Sequence, residues 1–505
     1  MNKLNKNILR SLLLLSYLII ITLIIYGFGA LYSYLNTGAD RSTMLHTEVK
    51  QVDQYLPELE WAPLTNLGRP MDKQTLSEIE NDYLDAWYVK LVAYKTNTTK
   101  GIDDYYTKSA RKNIYNIIEL NSNHKTTIDA TTLEHHPKLD FFSEDGQLVV
   151  LTDHNVIEHK RIFKAGHLTL ETNERSSYRV ILLLEDGFWR IRHLVKLKSS
   201  LYAKKNNDNL LPTGRIKGIN YYPQANPWDM FGDSFDPDII ASDFEIISSS
   251  GLNSIRIFVP YVSFGKSDVN TDKLKQLITL LDLAETADLK VMVTLFDFYG
   301  DYSVLDWTLT QRHAKLIVNA IKNHKALAYW DIKNEPNLDF KSRGQTLVTA
   351  WLGNMIDFVK SQDPNHPVTI GWSNAESSLI LKDKLDFVSF HYYEDIDDLI
   401  ETYNQLKTQI TNQPIVISEY GISSYRGLWN PFGHSENKQA EYHKSIQSTF
   451  HQNNIPFMSW TLYDFQEIPK EVVGRLPWRQ NTQKYFGFID QNGNKKPAFK
   501  YISKE

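Results

Sequence analysis

Short apolar runs alternate with longer helical patterns along the second half of the chain. Eight runs, rich in β-branched or aromatic residues, predict buried strands at 215–222, 254–259, 290–296, 326–332, 367–371, 387–391, 414–418 and 456–462. Between them, apolar residues recur every three or four positions, which predicts amphipathic helices. Eight strand–helix repeats within residues 213–505 indicate an α/β fold, a (β/α)8 barrel, which typically needs about 250 residues. A doubly wound open sheet is the alternative, disfavoured because no glycine-rich phosphate loop follows the first strand.

The preceding segment, residues 71–200, places helices first and strands afterwards. Helical spacing covers 76–94 and 102–120, and strand-like runs follow at 149–152, 167–170, 178–183 and 188–191. The sequence Glu-Asp-Gly at 185–187 is a hairpin turn signal. This order predicts a small α+β domain. Its last strand, Phe-Trp-Arg-Ile at 188–191, resembles that of the cone-shaped nuclear transport factor 2-like fold, which implies an accessory domain that serves as a spacer or docking module.

The first residues of the chain predict a membrane anchor. An uncharged and almost wholly apolar stretch covers 12–26, and Lys3, Lys6 and Arg10 precede it. About 20 apolar residues span a bilayer, and flanking basic residues stay on the cytoplasmic side. We therefore expect a cytoplasmic tail at 1–10, a transmembrane signal anchor at 11–36, a linker at 37–70 and an extracytoplasmic remainder. A cleaved signal peptide is the alternative, but its apolar region is normally shorter, at about 7–15 residues, and a small-residue cleavage site follows it.

Composition narrows the range of partners and chemistries. The 55 basic and 60 acidic residues give a net charge of -5, which argues against nucleic-acid binding because that usually requires a basic face. Cysteine is absent, which excludes disulfides, thiolate metal sites and cysteine nucleophiles. No histidine and carboxylate cluster has ligand-like spacing in the sequence, so we expect neither a metal nor another cofactor. The sequence does not identify a protein partner.

Two glutamates stand near the ends of predicted barrel strands. Glu335 lies in an Asn-Glu-Pro sequence after the fourth strand, and Glu419 lies in Ser-Glu-Tyr-Gly at the end of the seventh. In a (β/α)8 barrel, the carboxyl ends of different strands converge on one face. Two facing carboxylates are the minimum equipment for cleaving a glycosidic bond. A carboxylate that ends a buried strand is also costly unless it is paired or used, which favours a catalytic role for both.

The other strand ends add polar and aromatic side chains to the same predicted face. These are Asn220, Tyr221, Arg256, Asp297, Asn334, His391, Tyr393 and Trp460. Most have a structural alternative: Arg256 as half of a buried ion pair, His391 and Trp460 as core residues, and Asn220, Tyr221 and Asp297 as loop structure. Loop aromatic residues are candidate platforms for sugar rings. They are Trp228, Tyr299, Trp307, Trp429 and Trp478.

Five strand ends, taken in order, resemble those of clan A glycoside hydrolases, closest to family 5 (cellulases, mannanases and relatives). They are the second-strand Arg256, Asn334-Glu335-Pro336, His391 with Tyr393, Glu419 and the eighth-strand Trp460. The resemblance covers about residues 213–505 and implies hydrolysis of O-glycosidic bonds with retention. One position departs from it, since many members carry a histidine near the end of the third strand where this chain has Asp297.

The resemblance also implies a role for each residue. Glu419 would be the nucleophile, kept ionised by Arg256 and oriented by Tyr393. Glu335 would be the general acid and then the general base.

The remaining positions would bind substrate. Asn334 would donate to the sugar 2-hydroxyl, Trp460 would stack beneath the reacting sugar, and His391 would bind a hydroxyl or support Glu335. Asp297 and Asn220 would contact sugar hydroxyls.

Three functional hypotheses follow for a carbohydrate-binding protein of this kind. The first is a membrane-anchored retaining β-glycosidase acting on an extracytoplasmic polysaccharide or oligosaccharide. The second is a transglycosidase, in which another sugar replaces water. The third is a non-catalytic glycan-binding protein in polysaccharide assembly, which is disfavoured because both glutamates and their supporting residues are present. Residue types alone do not separate the first two.

Overall fold

The computed structural model describes residues 6–36, 55–201 and 215–503. Helix α1 covers Lys6–Asn36. Among the helices of these described residues, none combines the length and apolar character that a membrane crossing requires. The signal anchor expected at 11–36 is therefore not confirmed and stays a prediction. Most of the predicted linker, residues 37–54, lies outside the described residues.

The accessory domain consists of helices packed on one antiparallel sheet. Its helices are α2 (Lys73–Thr96), α3 (Ile102–Tyr105) and α4 (Lys108–Asn123). Its main strands are β3 (Thr126–Phe142), β4 (Leu148–Lys164), β5 (His167–Glu185) and β6 (Phe188–Leu201). They pair in sequence order, and the tight turn before β6 uses left-handed backbone at Asp186 (φ 53°) and Gly187 (φ 86°).

Two short strands correct the predicted boundary between linker and domain. Strands β1 (Glu58–Leu59) and β2 (Leu67–Gly68) pair in parallel with β3. Tyr55, only 8% exposed, joins the apolar core of the domain. The expectation of a linker over 37–70 is therefore wrong for residues 55–70, because these residues pair with and pack on the sheet.

Within residues 215–503, eight parallel strands close into a barrel, which confirms the predicted (β/α)8 architecture. The strands are β7 (Lys217–Asn220), β8 (Ser254–Pro260), β9 (Lys290–Asp297), β10 (Leu327–Asn334), β11 (Val368–Trp372), β12 (Val388–Tyr392), β13 (Ile415–Tyr420) and β14 (Phe457–Ser459). The helices are α5 (Pro237–Ser249), α6 (Thr271–Thr286), α7 (Trp307–Ile321), α8 (Phe340–Arg343), α9 (Gln345–Gln362), α10 (Leu399–Gln409), α11 (Glu436–Asn453), α12 (Lys470–Val473) and α13 (Pro477–Lys484). The first and last strands are shorter than predicted because the chain leaves the sheet to form loops above it.

Apolar side chains fill the amino-terminal end of the barrel, and its carboxyl-terminal end is open. A separate apolar cluster contains Ile216, Met292, Tyr329, Phe387, Val416 and Met458. These residues lie in the amino-terminal halves of their strands or just before them, except Met458, which is the middle residue of β14. Polar side chains take over towards the carboxyl ends. This is the usual polarity of the fold, so the candidate chemistry lies at the carboxyl-terminal face.

Candidate active site

A cavity of about 890 Å³ opens at the carboxyl-terminal face of the barrel. Its walls combine carboxylates, an amide and aromatic rings contributed by strand ends and the loops after them. The lining residues include Tyr222, Trp228, Phe258, Asp297, Phe298, Asn334, Glu335, Tyr393, Glu419, Trp460 and Phe486. Both predicted catalytic glutamates therefore face the same space.

Glu419 is held by charge and by hydrogen bonding. It lies within β13, and its side chain is 8% exposed. The Arg256 guanidinium donates from Nη1 to Oε1 at 2.7 Å, and the Tyr393 hydroxyl donates to Oε2 at 3.0 Å. Both contacts stabilise an ionised carboxylate, and together they fix its orientation. Burial, Glu419 and Glu335 raise the pKa of Tyr393 well above its ordinary value, so this hydroxyl keeps its proton and remains a donor.

Arg256 has an acceptor for each of its five N–H groups. Its Nε and Nη2 donate to Asp331 Oδ2 at 3.1 and 2.6 Å. The second Nη2 hydrogen reaches Asn334 Oδ1 at 2.9 Å, and Nη1 donates to Asn220 Oδ1 at 3.0 Å as well as to Glu419. Burial alone would lower the pKa of Arg256, but Asp331 and Glu419 raise it above its ordinary value. The guanidinium is therefore a fixed positive charge beneath Glu419.

Asp331 is a site residue that sequence reasoning missed. One oxygen accepts from Arg256 and from the Thr294 hydroxyl at 2.7 Å, and the other accepts from the Gly371 backbone N–H at 2.9 Å. The available signal was a charged residue inside the apolar run Tyr-Trp-Asp-Ile of β10, since buried charges occur only where they are paired.

Glu335 follows β10 in a left-handed backbone conformation with φ 46° and ψ 50°. Its backbone N–H donates to Gly371 O at 2.7 Å. Its Oε1 lies 2.9 Å from His391 Nδ1, and its side chain is 17% exposed. Left-handed backbone in a residue other than glycine costs about 1–3 kcal/mol and persists only where surrounding contacts enforce it.

The two carboxylates face each other with His391 between them. One carboxylate oxygen of Glu335, one ring nitrogen of His391 and one carboxylate oxygen of Glu419 all lie within 4.8 Å of one another. Carboxyl groups about 5–5.5 Å apart are typical of retaining glycosidases. The same three side chains offer atoms that bind divalent metals, but the Arg256 guanidinium, 2.7 Å from Glu419, already supplies the positive charge there. The donor set therefore suits acid–base and nucleophilic chemistry better than metal binding.

Gly371 is a second residue that sequence reasoning missed. A Cβ at this position would lie 2.6 Å from Arg256 Nη2 and 3.2 Å from His391 Nε2. Only hydrogen fits here without displacing one of these side chains. The need for glycine comes from packing across three strands, which leaves no local pattern in the sequence.

The remaining predicted residues divide into those that line the cavity and those that support it. Asp297 and Trp460 line it, and Asp297 lies 3.5 Å from the Tyr222 hydroxyl. Asn220 is fully buried below, where its Nδ2 donates to two backbone carbonyls and its Oδ1 accepts from Arg256, so it braces the guanidinium. Tyr221 points away from the cavity and donates to Asp243 at 2.8 Å.

The candidate platforms divide in the same way. Trp228 lines the cavity, with left-handed backbone at φ 63°. Tyr299 and Trp307 are 3% and 1% exposed, so the expectation that they bind sugar is wrong. The Tyr299 ring packs on Trp351 of α9, and the Trp307 ring packs on His159 of the accessory domain. Phe298 and Phe486, which sequence reasoning passed over, line the cavity instead.

Comparison with known families gives a match for the barrel. Residues 219–466 match the family model described as Cellulase (glycosyl hydrolase family 5). The resemblance to this family is thus supported for the barrel, over residues 219–466.

Individual relatives are distant. The β-glucuronidase of Chlorocebus aethiops is 26% identical over 305 residues, which cover 56% of this chain and 41% of that protein. Mannan endo-1,4-beta-mannosidase A of Hypocrea jecorina is 24% identical over 243 residues, covering 36% of this chain and 55% of that protein. The chain thus spans less than half the length of the glucuronidase. Among solved structures, Exo-beta-1,4-mannosidase Op5Man5 from Opitutaceae bacterium strain TAV5 has 17% identity and a TM-score of 0.46, covering 57% of this chain and 58% of that protein.

Proposed function

We propose that the chain is a retaining β-glycoside hydrolase that cleaves a polysaccharide or oligosaccharide outside the cytoplasm by double displacement. The observation that carries the proposal is the facing pair Glu335 and Glu419, since one carboxylate oxygen of each lies within 4.8 Å of one of the other across the same cavity. The names of the curated relatives, β-glucuronidase and mannan endo-1,4-β-mannosidase, describe enzymes that act on β-linked sugars, which supports a β-glycoside as substrate.

Glu419 is the nucleophile in this mechanism. Arg256 and Tyr393 donate to its two oxygens, and these contacts favour the carboxylate form and aim it into the cavity before substrate arrives. Attack on the anomeric carbon breaks the bond to the leaving oxygen and forms a glycosyl ester. Trp460 and Trp228 supply apolar faces on which the reacting sugar stacks.

Glu335 first donates a proton to the leaving oxygen and then takes one from the attacking water. His391 Nδ1 lies 2.9 Å from Glu335 Oε1, and this contact suits both the protonated and the ionised form of Glu335. With its proton on Nε2, the imidazole accepts from protonated Glu335; with its proton on Nδ1, it donates to the ionised form. Arg256 donates to Asn334 Oδ1 and so fixes the orientation of the amide, whose Nδ2 group donates to a sugar hydroxyl in this mechanism.

Product stereochemistry and azide rescue test the mechanism. The screen uses aryl β-glucosides, β-mannosides and β-glucuronides. We expect Glu419→Gln to lower turnover of the best substrate by roughly 1,000-fold or more. Azide should restore turnover of Glu335→Ala with a β-glycosyl azide product, and of Glu419→Ala with an α-glycosyl azide. An initial α-anomeric product from the wild type, measured by proton NMR, would exclude retention.

The location is part of the proposal and rests on the sequence. The uncharged stretch 12–26 after Lys3, Lys6 and Arg10 supports a domain held at the outer side of the membrane. Protease added to intact cells or spheroplasts should then degrade the barrel, and the chain should sediment with membranes. Recovery of the whole chain in the cytosolic fraction would contradict this location.

A further inference from the structure

The accessory domain contacts the loop that follows the third barrel strand. The His159 ring of β4 lies against the Trp307 ring at the start of α7, with centroids 4.2 Å apart and planes at 33°. His159 is 2% exposed, and its Nδ1 is hydrogen-bonded to Asn173 Oδ1 at 2.7 Å, which fixes the ring. Lys95 of α2 adds a contact from Nζ to Ser303 Oγ at 3.3 Å. The domain is thus seated on residues 303–307 of the barrel.

The same loop is joined to the segment that carries Glu335. The Trp307 indole N–H donates to Tyr302 O at 3.4 Å, and the Tyr302 hydroxyl donates to the Asp339 carboxylate. Asp339 ends the 3-10 turn Pro336–Asp339 that begins directly after Glu335. Tyr302, Trp307 and Asp339 are each at most 2% exposed, so solvent does not compete for these contacts.

Asp339 also holds the other side of the glutamate. Lys333 Nζ lies 3.5 Å from Asp339 Oδ2, and both side chains are nearly fully buried. Lys333 precedes Glu335 in the chain and Asp339 follows it, so the contact between Lys333 and Asp339 joins the residues on either side of the acid/base glutamate. Because Glu335 has left-handed backbone, its position depends on such external contacts.

We propose that the accessory domain is a positioning part of the catalytic unit rather than a spacer. Through His159, Trp307, Tyr302 and Asp339 it fixes the place from which Glu335 delivers its proton. The inference rests on the proposed function for its kinetic consequences and on the contacts alone for its structural ones. His159 and Tyr302 are positioning residues, since they act through Asp339 and do not touch substrate.

Dependence on the leaving group distinguishes lost positioning from lost folding. Dinitrophenolate leaves without protonation, whereas phenolate needs the proton from Glu335. A displaced general acid therefore slows cleavage of the phenyl glycoside selectively, while partial unfolding slows both substrates equally. The ratio kcat/KM reports only the first step, in which Glu335 acts as acid, and not the later attack of water. We expect His159→Ala and Tyr302→Phe to lower kcat/KM for the phenyl glycoside roughly tenfold, and kcat/KM for the dinitrophenyl glycoside less than about twofold.

Two matched variants serve as controls. His159→Phe keeps a flat ring against Trp307 and should restore most of the lost phenyl-glycoside activity. Lys315→Gln breaks another contact between the domains, the 2.7 Å ion pair with Glu58, whose side chains are 40% and 41% exposed. It should leave both substrates within about twofold of wild type, because a half-exposed ion pair contributes little. Equal losses of kcat/KM on both substrates in His159→Ala would overturn the proposal.

Hydrogen exchange tests the same inference without any activity. In His159→Ala, amides in a peptide covering 333–343 should exchange faster than in wild type, and those in a peptide covering 415–421 should not. Unchanged exchange over 333–343 would overturn the proposal. This outcome is separate from a failure of the proposed function, which would show as absence of turnover on every β-glycoside while exchange still responds to His159→Ala.

Discussion

Replacing Arg256 with lysine tests whether the five-contact guanidinium organises the site. Lysine keeps the positive charge but has three N–H donors on a single nitrogen, so at least two of the five contacts are lost. The two-point contact with Asp331 cannot be reproduced, because one ammonium cannot span Nε and Nη2. The affected acceptors Asp331, Asn334 and Asn220 are all nearly fully buried.

The magnitude follows from these lost contacts. A hydrogen bond to a charged buried group contributes about 1.5–3 kcal/mol, so two losses amount to roughly 3–6 kcal/mol. This range overlaps the roughly 3–5 kcal/mol seen when one member of a buried ion pair is removed. Because Glu419 loses its aligned donor in the same step, we also expect kcat to fall by roughly 100-fold, with a smaller change in KM.

Urea unfolding followed by tryptophan fluorescence measures the first effect, and turnover of an aryl β-glycoside measures the second. Lys290→Arg, an exposed position in β9 away from the cavity, is the control for a basic-residue exchange on the same barrel. A loss below about 1 kcal/mol together with near wild-type kcat would refute the view that the guanidinium contacts hold Glu419 in place.

Three further changes have defined outcomes. Gly371→Ala places a Cβ 2.6 Å from Arg256 Nη2, so kcat should fall by roughly 100-fold with KM little changed, and steady-state kinetics at wild-type level would contradict this. Burial, reinforced by Lys496, lowers the pKa of His443 from 6.5 to about 3, so this histidine stabilises the fold above pH 6.5 and progressively less as pH falls towards 3. His443→Phe should remove roughly 2–3 kcal/mol of the stability loss between pH 6.5 and 4.5, and a urea midpoint with unaltered pH dependence would exclude this role for His443. Burial, partly offset by hydrogen bonds from Tyr463 and Tyr221, raises the pKa of Asp243 from 3.8 to about 6, so its contribution to stability is full below pH 3.8 and is lost as pH rises through 6. Asp243→Asn should recover roughly 2–3 kcal/mol of the stability lost between pH 4 and 7, and parallel stability curves for variant and wild type would count against it.

The barrel was predictable because its signals are local. Each strand buries an unbroken apolar run, and each helix shows one apolar face, so length and spacing suffice to find them. The ends of the strands then place Glu335 and Glu419 on one face without knowledge of any contact. Gly371 could not be found in this way. It is required by the distance between side chains on other strands, and that distance exists only after the barrel has closed.

The accessory domain was harder to predict because its core is partly polar. Strand β3 escaped prediction although it is 17 residues long. It contributes His135, fully buried and bound to Asp153 at 2.6 Å, while Tyr83 donates to the same carboxylate at 2.7 Å. Buried polar residues of this kind remove the apolar alternation by which a strand is normally found. His135 is thus a paired core histidine, a role that its neighbours in sequence do not indicate.

Tertiary contacts also divided one predicted helix. The helical pattern over 102–120 is continuous, yet the structure has helices Ile102–Tyr105 and Lys108–Asn123 with a break between them. At the break, Tyr106 forms a β-bridge with Ile191, and the Thr107 backbone N–H donates to Ile191 O at 3.1 Å. Pairing with the edge of the sheet replaces helical hydrogen bonds here, which a periodicity within one segment does not reveal.

The charges around Arg256 explain why the site contains Asp331 in addition to the two glutamates. In the proposed mechanism, Glu419 loses its negative charge when it becomes a glycosyl ester, and a guanidinium balanced by Glu419 alone would then be buried without a partner. Asp331 contacts Arg256 through two N–H groups and is itself held by Thr294 and Gly371, so it keeps the guanidinium paired and in place throughout the cycle. The desolvation cost of an unpaired buried charge would otherwise raise the energy of the intermediate. Asp331 therefore lets Glu419 change charge while its strongest donor stays fixed.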